Sequence, residues 1–304
     1  MTRDRLLRVE DPGPLCTVQD RGRTGLAHLG VPRGGPLDDV AADLANRLVG
    51  NPPDAALLEV TLGGLRATGR GGHWVAVTGA PGGVLVDGAP VAHGEPVWLP
   101  DGSRLEVGVP ATGVRSYLAV AGGVDVPPVL GSRATDTLAW VGPPRVVAGA
   151  ELPVGKPAGP PHPQETPRPR AAGPLRVAPG PRRDWFADDV IDRLCDTTWQ
   201  VAPDSDRVGL RLGGEPLARR RDAGLPRELP SEGMVLGAVQ VPPDGQPVVF
   251  LADHPPTGGY PVVAVVRRED LWVCGQLRPG ESVRFTPDRP SPPGQQGRRA
   301  AATR

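Results

Sequence analysis

The stretch from residue 74 to residue 107 contains four short, mostly apolar runs. They are Trp74-Val-Ala-Val-Thr78, Val84-Leu-Val86, Pro96-Val-Trp-Leu99 and Leu105-Glu-Val107. Each run is only three to five residues long, which suits a strand better than a helix. Asp87-Gly88 and Pro100-Asp-Gly102 stand between the runs and are typical of hairpin turns. Strands at this spacing predict a sandwich or a closed barrel.

The same pattern recurs on both sides of this stretch and divides the 304 residues into blocks. We predict a first domain over residues 1–152, a Pro-rich linker over 153–174, a second domain over 175–287 and a disordered tail over 288–304. Each domain is expected to hold a strand, one helix and then several strands. The two helices are predicted at Pro36–Val49 and Asp184–Leu194, where apolar residues recur at helical spacing.

Composition excludes several classes of protein. The 34 basic residues balance the 34 acidic ones, so the chain lacks the positive charge that nonspecific nucleic-acid binding requires. Lys156 is the only lysine and lies in the predicted linker, which argues against P-loop, Schiff-base and biotin-carrying chemistry in this chain. No apolar run is long enough for a signal peptide or a membrane span, so we expect a soluble cytoplasmic protein.

Metal and disulfide chemistry are not expected either. Cys16, Cys195 and Cys274 are isolated from one another, and the five histidines show no ligand spacing. We therefore predict reduced cysteines and no metal site.

Three loops combine glycine with charged or amide side chains and are candidates for ligand binding. Glycine allows close backbone approach to a ligand, and arginine offers a planar fork for carboxylate or phosphate. The alternative is that Asp20–Arg23 and Asp206–Arg207 are salt bridges within their loops. The three loops cover residues 19–36, residues 205–212, and residues 231–260 with their intervening strands.

Asp253 follows an apolar run and precedes Thr257-Gly-Gly-Tyr260. A carboxylate in this position can serve as a general base, or it can cap the turn through its own backbone. The neighbouring His254 precedes Pro255-Pro256 and is expected at the surface.

At these loops the sequence resembles the biotin-dependent carboxyltransferase family, also called allophanate hydrolase subunit 2-like. The matching residues run through nearly the whole chain in order. They are Gln19-Asp-Arg-Gly-Arg23, Gly30-Val-Pro32, Asp38, Ala45-Asn46, Gly50-Asn51, Glu59, Thr78-Gly-Ala80, Tyr117-Leu-Ala-Val-Ala-Gly-Gly123, Leu130-Gly-Ser-Arg-Ala-Thr135, Ser205-Asp-Arg207, Arg211-Leu212, Ser231-Glu-Gly233, Gln240-Val-Pro-Pro-Asp-Gly245, Asp253 and Thr257-Gly-Gly-Tyr260.

The resemblance implies a mostly β chain with a few short helices, arranged as two tandem cyclophilin-like β-barrel domains. It also implies the C subunit of an ATP-dependent 5-oxoprolinase, which hydrolyses 5-oxo-L-proline to L-glutamate. A paralogous B-type subunit and a lactam-binding A-type subunit would be its partners, and ATP would be used in the complex.

The matching loops supply the candidate site residues. We predict Asp253 and Glu232 as catalytic carboxylates. The residues predicted to bind substrate or phosphate are Gln19, Asp20, Arg23, Arg133, Ser205, Arg207, Arg211, Gln240, Asp244, Thr257, Gly258, Gly259 and Tyr260.

Two other functions are compatible with the resemblance. One is a regulatory protein that binds a kinase-inhibitor-like partner and catalyses nothing. The other is the carboxyltransferase component of a urea-type carboxylase, which would take carboxybiotin from a separate carrier.

The sequence departs from the family pattern in three places. Residues 136–150 are shorter than usual and end in Ala150 where the family has Asp. Asp253-His-Pro-Pro256 stands where the family has Asp-Arg-Gln-Thr, and Gly209-Leu-Arg-Leu212 replaces Gly-Tyr-Arg-Leu. These changes remove polar groups that could bind substrate, which suggests altered specificity or reduced activity.

Overall fold

The first half of the chain forms two antiparallel sheets. The computed structural model describes residues 5–163, 173–220 and 228–288; residues 164–172 of the predicted linker and all but Asp288 of the predicted tail lie outside these ranges. The strands of the first half are β1 (Leu6–Pro12), β2 (Leu15–Gln19), β3 (Leu57–Thr61), β4 (Leu65–Arg70), β5 (His73–Gly79), β6 (Val84–Val86), β7 (Ala89–Val91), β8 (Val97–Leu99), β9 (Arg104–Val107), β10 (Arg115–Val120) and β11 (Glu151–Pro153).

One sheet has the order β11-β1-β4-β9-β6-β7, and the other has the order β2-β3-β10-β5-β8. Their facing side chains form an apolar core that includes Leu7, Val60 and Leu118. Pro153, assigned from sequence to the linker, pairs with Leu6 at the edge of the first sheet. The domain boundaries themselves stay predictions.

The second half closes its main sheet into a nearly complete barrel. Its two edge strands are separated by Arg284 alone, so the edges of the sheet must meet. The sheet order is β20-β13-β14-β17-β16-β19-β12-β21, and β15 pairs separately with β18. The strands are β12 (Leu175–Pro179), β13 (Trp199–Val201), β14 (Gly209–Gly213), β15 (Glu232–Gly233), β16 (Ala238–Gln240), β17 (Val248–Phe250), β18 (Thr257–Gly258), β19 (Val262–Val266), β20 (Ser282–Val283) and β21 (Phe285–Pro287).

The helices are short, and the mostly β class predicted from the sequence is confirmed. They are α1 (Asp39–Leu48), α2 (Val190–Asp196) and α3 (Leu271–Gln276), with 3-10 turns at Ala27–Leu29, Arg183–Trp185 and Arg268–Asp270. None of the described helices is long and apolar enough to cross a membrane.

Helix α1 covers one face of the β2-β3-β10-β5-β8 sheet. Leu44, Ala45 and Leu48 pack with Tyr117 and Ala119 of β10, whose Leu118 and Val120 enter the core between the two sheets. β10 is therefore buried on both faces, which explains its nearly continuous apolar sequence.

Both predicted helices differ from the observed ones at their starts. Helix α1 begins three residues later than predicted because the Asp38 carboxylate caps it by accepting from the Ala41 N–H at 3.0 Å. The predicted Asp184–Leu194 helix is interrupted by Phe186, whose extended backbone ends a 3-10 turn before α2. The sequence pattern predicts no helix at Leu271–Gln276, where the structure has α3.

The two halves are joined by a side chain that crosses between them. Leu37 precedes α1 in the first half but belongs to the apolar core of the second half. Gly275 of α3 lies so close that a Cβ there would come within 2.9 Å of the Leu37 carbonyl oxygen.

Gln276, at the end of α3, fastens this junction with four hydrogen bonds. Its Oε1 accepts from the backbone N–H groups of Val114 and Arg115 at 3.0 and 2.9 Å. Its Nε2 donates to the Asp38 carboxylate at 2.9 Å and to the Arg115 carbonyl at 3.0 Å. Burial raises the pKa of Asp38, and the hydrogen bond from Gln276 opposes that rise.

Replacing Gln276 with leucine should lower the free energy of unfolding by about 2–3 kcal/mol, because donors and acceptors at the junction lose their partners. Urea denaturation measures the change. Gln200→Leu is the control, since Gln200 is exposed and donates only to Ser282. Equal losses in the two variants would contradict a fastening role for Gln276.

His73 on β5 is fully buried and electrically neutral. Its Nδ1 lies 3.1 Å from Nη2 of Arg5, and its Nε2 lies 3.3 Å from the Leu6 carbonyl oxygen. A guanidinium can only donate, so Nδ1 accepts and the ring hydrogen is on Nε2. Burial and then the charge of Arg5 lower the pKa of His73 from its ordinary value of 6.5.

The unfolded chain therefore protonates His73 at a higher pH than the folded chain does. The stability from this group is complete above about pH 6.5 and falls by up to about 1.4 kcal/mol per pH unit as the pH drops toward the lowered pKa. Urea denaturation at about pH 7 and about pH 5.5 should show a smaller pH dependence in His73→Gln than in the wild type. His28→Gln, at an exposed position, should keep the full dependence.

Candidate functional site

A buried arginine holds two carboxylates together where the halves of the chain meet. Arg207, 1% exposed, follows β13 in the second half. Its Nε and Nη2 donate to Oδ2 and Oδ1 of Asp253 at 2.9 and 3.0 Å, a bidentate pair. Its Nη1 donates to Glu59 of β3, from the first half. Because all three side chains are enclosed, this is an ion-pair network across the junction, and Asp206 takes no part in it.

Both carboxylates also accept hydrogen bonds from uncharged groups. Oδ2 of Asp253 accepts from the backbone N–H and the hydroxyl of Thr137 at 2.9 and 2.8 Å. Oε2 of Glu59 accepts from the Leu37 N–H and the Tyr117 hydroxyl, each at 2.9 Å. The network therefore fixes residues before α1 and residues after β10 in one arrangement.

Opposing effects act on the charge of Arg207. Burial lowers its pKa, whereas the charges of Asp253 and Glu59 raise it and outweigh the burial. The guanidinium is thus permanently charged. Desolvation raises the pKa of Tyr117 well above its ordinary value, so its hydroxyl is a fixed neutral donor to Glu59.

These contacts give Asp253 a positioning role in the structure. Its carboxylate is 0% exposed, and neither oxygen faces solvent or caps its own turn. A water molecule could reach it only by displacing Arg207 or Thr137. The catalytic role of Asp253 stays a prediction.

A cavity of about 50 Å³ lies beside the network and between the halves of the chain. Arg207 reaches its wall, since Nη2 donates to the Gly35 carbonyl oxygen at 2.7 Å. The Gly34 N–H donates to the Ala252 carbonyl oxygen at 3.1 Å, next to Asp253. The residues that line the cavity near the network are Gln19, Asp20, Gly34, Gly35, Leu37 and Ala252.

Most of the predicted binding residues in the first loop, residues 19–36, form hydrogen bonds within that loop or with residues 132–135. Gln19, fully buried, donates to the Thr135 carbonyl at 2.9 Å and accepts from the Gly35 N–H at 3.2 Å. Asp20 accepts from the Ser132 hydroxyl at 2.6 Å and from the N–H of Arg133. The structure therefore brings residues 19–20 and 132–135 together as a support for the loop at the cavity.

Arg23 and Arg133 lie in this support. Arg23, 3% exposed, donates to the Ala134 carbonyl at 2.5 Å, and its Nη1 is a buried atom with no hydrogen-bond partner. Arg133 donates to Asp125 at the surface at 2.8 Å. The expected Asp20–Arg23 bridge is not among the ion pairs of the described residues.

A second group of predicted residues gathers around β15 and β18. Glu232 pairs in register with Gly258 and forms an ion pair with Arg182. Gln240 donates to the Tyr260 carbonyl at 3.0 Å. Two further predicted residues belong to this group: Gly259 is half-buried, and Thr257 is exposed.

Tyr260 presents its ring to solvent at 44% exposure, with the guanidinium of Arg219 5.6 Å from the ring centroid. Glu232 and residues 257–260, with the buried Gln240 beneath them, thus form a group separate from Asp253. The neighbouring His254 is buried and stacks on Phe250, which differs from the surface position expected for it.

Ser205, Arg211 and Asp244 serve local turns. The Ser205 hydroxyl accepts from the Arg211 N–H at 3.0 Å, and Arg211 lies beside Asp204 at the surface. Asp244 accepts from the Gln246 N–H at 3.0 Å. No contact in the described residues links these three side chains to the buried network.

Sequence reasoning placed Arg207 and Asp253 in candidate loops, named Glu59 only among the residues that match the family, and missed Thr137. The sequence does contain a signal for Glu59. An acidic residue in the apolar run Leu57-Leu-Glu-Val60 needs a polar or charged partner when that run is buried. The sequence contains no comparable signal for Thr137. No group of side chains in the described ranges has the composition of a metal site.

Comparisons with known proteins agree with this architecture. The sequence model of the family described as carboxyltransferase domain, subdomain A and B, matches residues 29–287 of this chain. The C subunit of the 5-oxoprolinase of Escherichia coli is 38% identical over 284 residues, which cover 92% of this chain and 90% of that protein. The chain belongs to the carboxyltransferase domain family.

Two solved structures extend the comparison to longer proteins. The protein TTHA0988 is 40% identical with a TM-score of 0.82, and the match covers 94% of this chain and 56% of that one. The urea amidolyase of Kluyveromyces lactis is 33% identical with a TM-score of 0.85, and the match covers 93% of this chain but 18% of that protein. The chain thus spans about half of one solved relative and a fifth or less of the other.

Replacing Arg207 with methionine should lower the free energy of unfolding by about 3–5 kcal/mol. The reason is that Asp253 would stay buried without a cation, and Glu59 would keep only Arg115, whose Nε lies 3.5 Å from its Oε1. Thermal and urea denaturation measure the change. Arg211→Met, which removes an exposed guanidinium, should cost at most about 1 kcal/mol. A mild effect at Arg207, close to that at Arg211, would contradict the bridging role.

Proposed function

We propose that this chain is the C subunit of an ATP-dependent 5-oxoprolinase that opens 5-oxo-L-proline to L-glutamate. The observation that carries the proposal is the match to a 5-oxoprolinase C subunit over about nine tenths of both chains. A match of that extent leaves little of either protein unpaired, unlike the matches to the much longer urea amidolyases.

The reaction explains why ATP would be needed. A lactam is an unreactive amide, and transfer of the γ-phosphoryl group of ATP to its oxygen creates a leaving group. Water then attacks the activated carbon, the ring C–N bond breaks and the nitrogen takes a proton to become the amino group, which leaves an acyl phosphate. A second water molecule hydrolyses this acyl phosphate to the glutamate carboxylate and inorganic phosphate. Arginines and backbone N–H groups would stabilise the negative charge that develops on phosphate and oxygen.

This chain would build its part of the site at the junction of its halves. The Glu59–Arg207–Asp253 network supports the proposal by holding a glycine-rich loop rigidly beside an open cavity. A rigid loop keeps binding groups in place without a conformational cost when substrate arrives. The partners in this proposal are a paralogous B-type subunit and a lactam-binding A-type subunit.

The test is glutamate release from 5-oxo-L-proline by the complex that the tagged chain captures from its native lysate. We expect release only when ATP is added, and we expect loss of release when this chain is omitted from the reassembled complex. A complex that contains all three subunits yet releases no glutamate would contradict the proposal. That result would favour a regulatory role, in which the chain binds a partner without catalysis.

A carboxyltransferase role is the second candidate, since the urea amidolyase match has a TM-score of 0.85. In that role the chain would move a carboxyl group from carboxybiotin on a separate carrier. Avidin distinguishes the two candidates because it sequesters biotin. Glutamate release that avidin leaves unchanged supports the lactam hydrolase, whereas avidin-sensitive carboxylation of urea would replace it.

A further inference from the structure

Arg33 lies in the wall of the cavity between the halves, on the loop that leads into α1. The backbone of this loop is fixed on both sides. The Arg33 carbonyl oxygen accepts from the Arg23 N–H at 2.8 Å, the Gly34 N–H donates to Ala252, and the Gly35 N–H donates to Gln19. Arg33 therefore projects from a loop with little freedom to move.

Three arginines line the cavity, and two of them are neutralised by aspartates of α1. Arg21 donates to both oxygens of Asp43, at 3.0 and 2.9 Å. Arg268 donates to Asp39 at 2.9 Å. Each of these pairs leaves no net charge at the cavity.

Arg33 has no ion-pair partner within residues 5–163, 173–220 and 228–288. Its guanidinium makes one long hydrogen bond, 3.4 Å from Nη2 to the Arg21 carbonyl oxygen. The other nearby carboxylate, Asp20, is occupied by Gly22, Ser132 and the backbone of Arg133. Among the described residues, Arg33 is thus the one arginine of the cavity wall whose guanidinium is not paired with a carboxylate.

The surroundings of Arg33 disfavour an unpaired charge. Burial lowers the pKa of Arg33, and the like charges of Arg268 and Arg21 lower it further, against the opposing effect of Asp39. An anion bound beside Arg33 would relieve both effects. A guanidinium forms two parallel hydrogen bonds with a carboxylate, so its free donors match that group.

The rest of the cavity favours a small ligand with an apolar body. Leu37, Leu57, Leu236, Leu251 and Leu271 contribute apolar wall from both halves of the chain. A volume of about 50 Å³ admits a carboxylate and the few atoms beside it, while the remainder of the ligand would occupy the open mouth. A single guanidinium without a carboxylate partner, beside aspartates, suits one carboxylate group better than a phosphate dianion.

We propose that Arg33 binds the carboxylate of a small monocarboxylate ligand in this cavity. The identification of that ligand as 5-oxo-L-proline rests on the proposed function. The ring atoms next to the carboxylate would then contact the leucine wall, and the rest of the ring, with its lactam group, would lie in the open mouth, where a partner protein can reach it.

The test measures the affinity of the full chain, alone and in the assembled complex, for three probes by calorimetry and ligand-detected NMR. The probes are acetate, 5-oxo-L-proline and 2-pyrrolidone, the last being the same lactam without a carboxylate. The variants are Arg33→Gln, Arg33→Lys and the control Arg47→Gln. Arg47 is an exposed residue of the same region that lies outside the cavity wall, and its replacement changes the net charge equally.

We expect Arg33→Gln to weaken acetate and 5-oxo-L-proline by roughly tenfold or more, since a hydrogen-bonded charge is lost. Arg33→Lys should weaken them less, and Arg47→Gln should match the wild type. The affinity for 2-pyrrolidone should be the same in all four proteins, because that probe has no carboxylate for Arg33 to bind. Unchanged melting temperatures would show that the variants fold.

The outcomes separate this inference from the proposed function. Carboxylate affinity retained in Arg33→Gln, or absent from the wild type both alone and in the complex, overturns the Arg33 site. Acetate binding that depends on Arg33, without 5-oxo-L-proline binding, supports the site and contradicts the substrate. ATP-dependent glutamate release with the same KM in Arg33→Gln supports the function and contradicts the site.

Discussion

The ion pairs of Arg207 with Glu59 and Asp253 are the interaction on which the junction depends. Burying three charges is costly, and the cost is offset only when the geometry is good and the remaining oxygens have donors. The chain meets this condition with Thr137, Tyr117 and the backbone of Leu37. Since these donors come from distant parts of the sequence, the network forms only when both halves have reached their final positions.

The cavity follows from that constraint. The network fixes the Gly34–Gly35 backbone from behind, while Leu37 anchors the same loop in the core of the second half. A loop held in this way can carry a charged side chain toward solvent without losing its shape. The placement of Arg33 at the cavity is therefore a consequence of the packing behind it, and preorganisation of this kind lowers the cost of binding a ligand.

The relatives place this unit in two settings. The match covers nearly the whole of a 5-oxoprolinase C subunit but only a small part of a urea amidolyase. The junction between halves lies within the matched region in both settings. An arrangement with its own buried network can be kept as a unit in a separate protein or in a longer chain, because its main polar contacts are satisfied internally.

The sequence by itself determined the mostly β class, the helix before residue 49 and the family, since hydrophobic period, turn residues and motif order are local properties. It also placed Arg207 and Asp253 in candidate loops, but it gave no sign that they were partners of Glu59. Arg207 and Glu59 are 148 residues apart, and their contact exists only because the halves pack against each other. Burial of Asp253 and His254, the crossing of Leu37 and the unpaired charge of Arg33 were likewise decided by tertiary structure, because each depends on which neighbours the fold supplies.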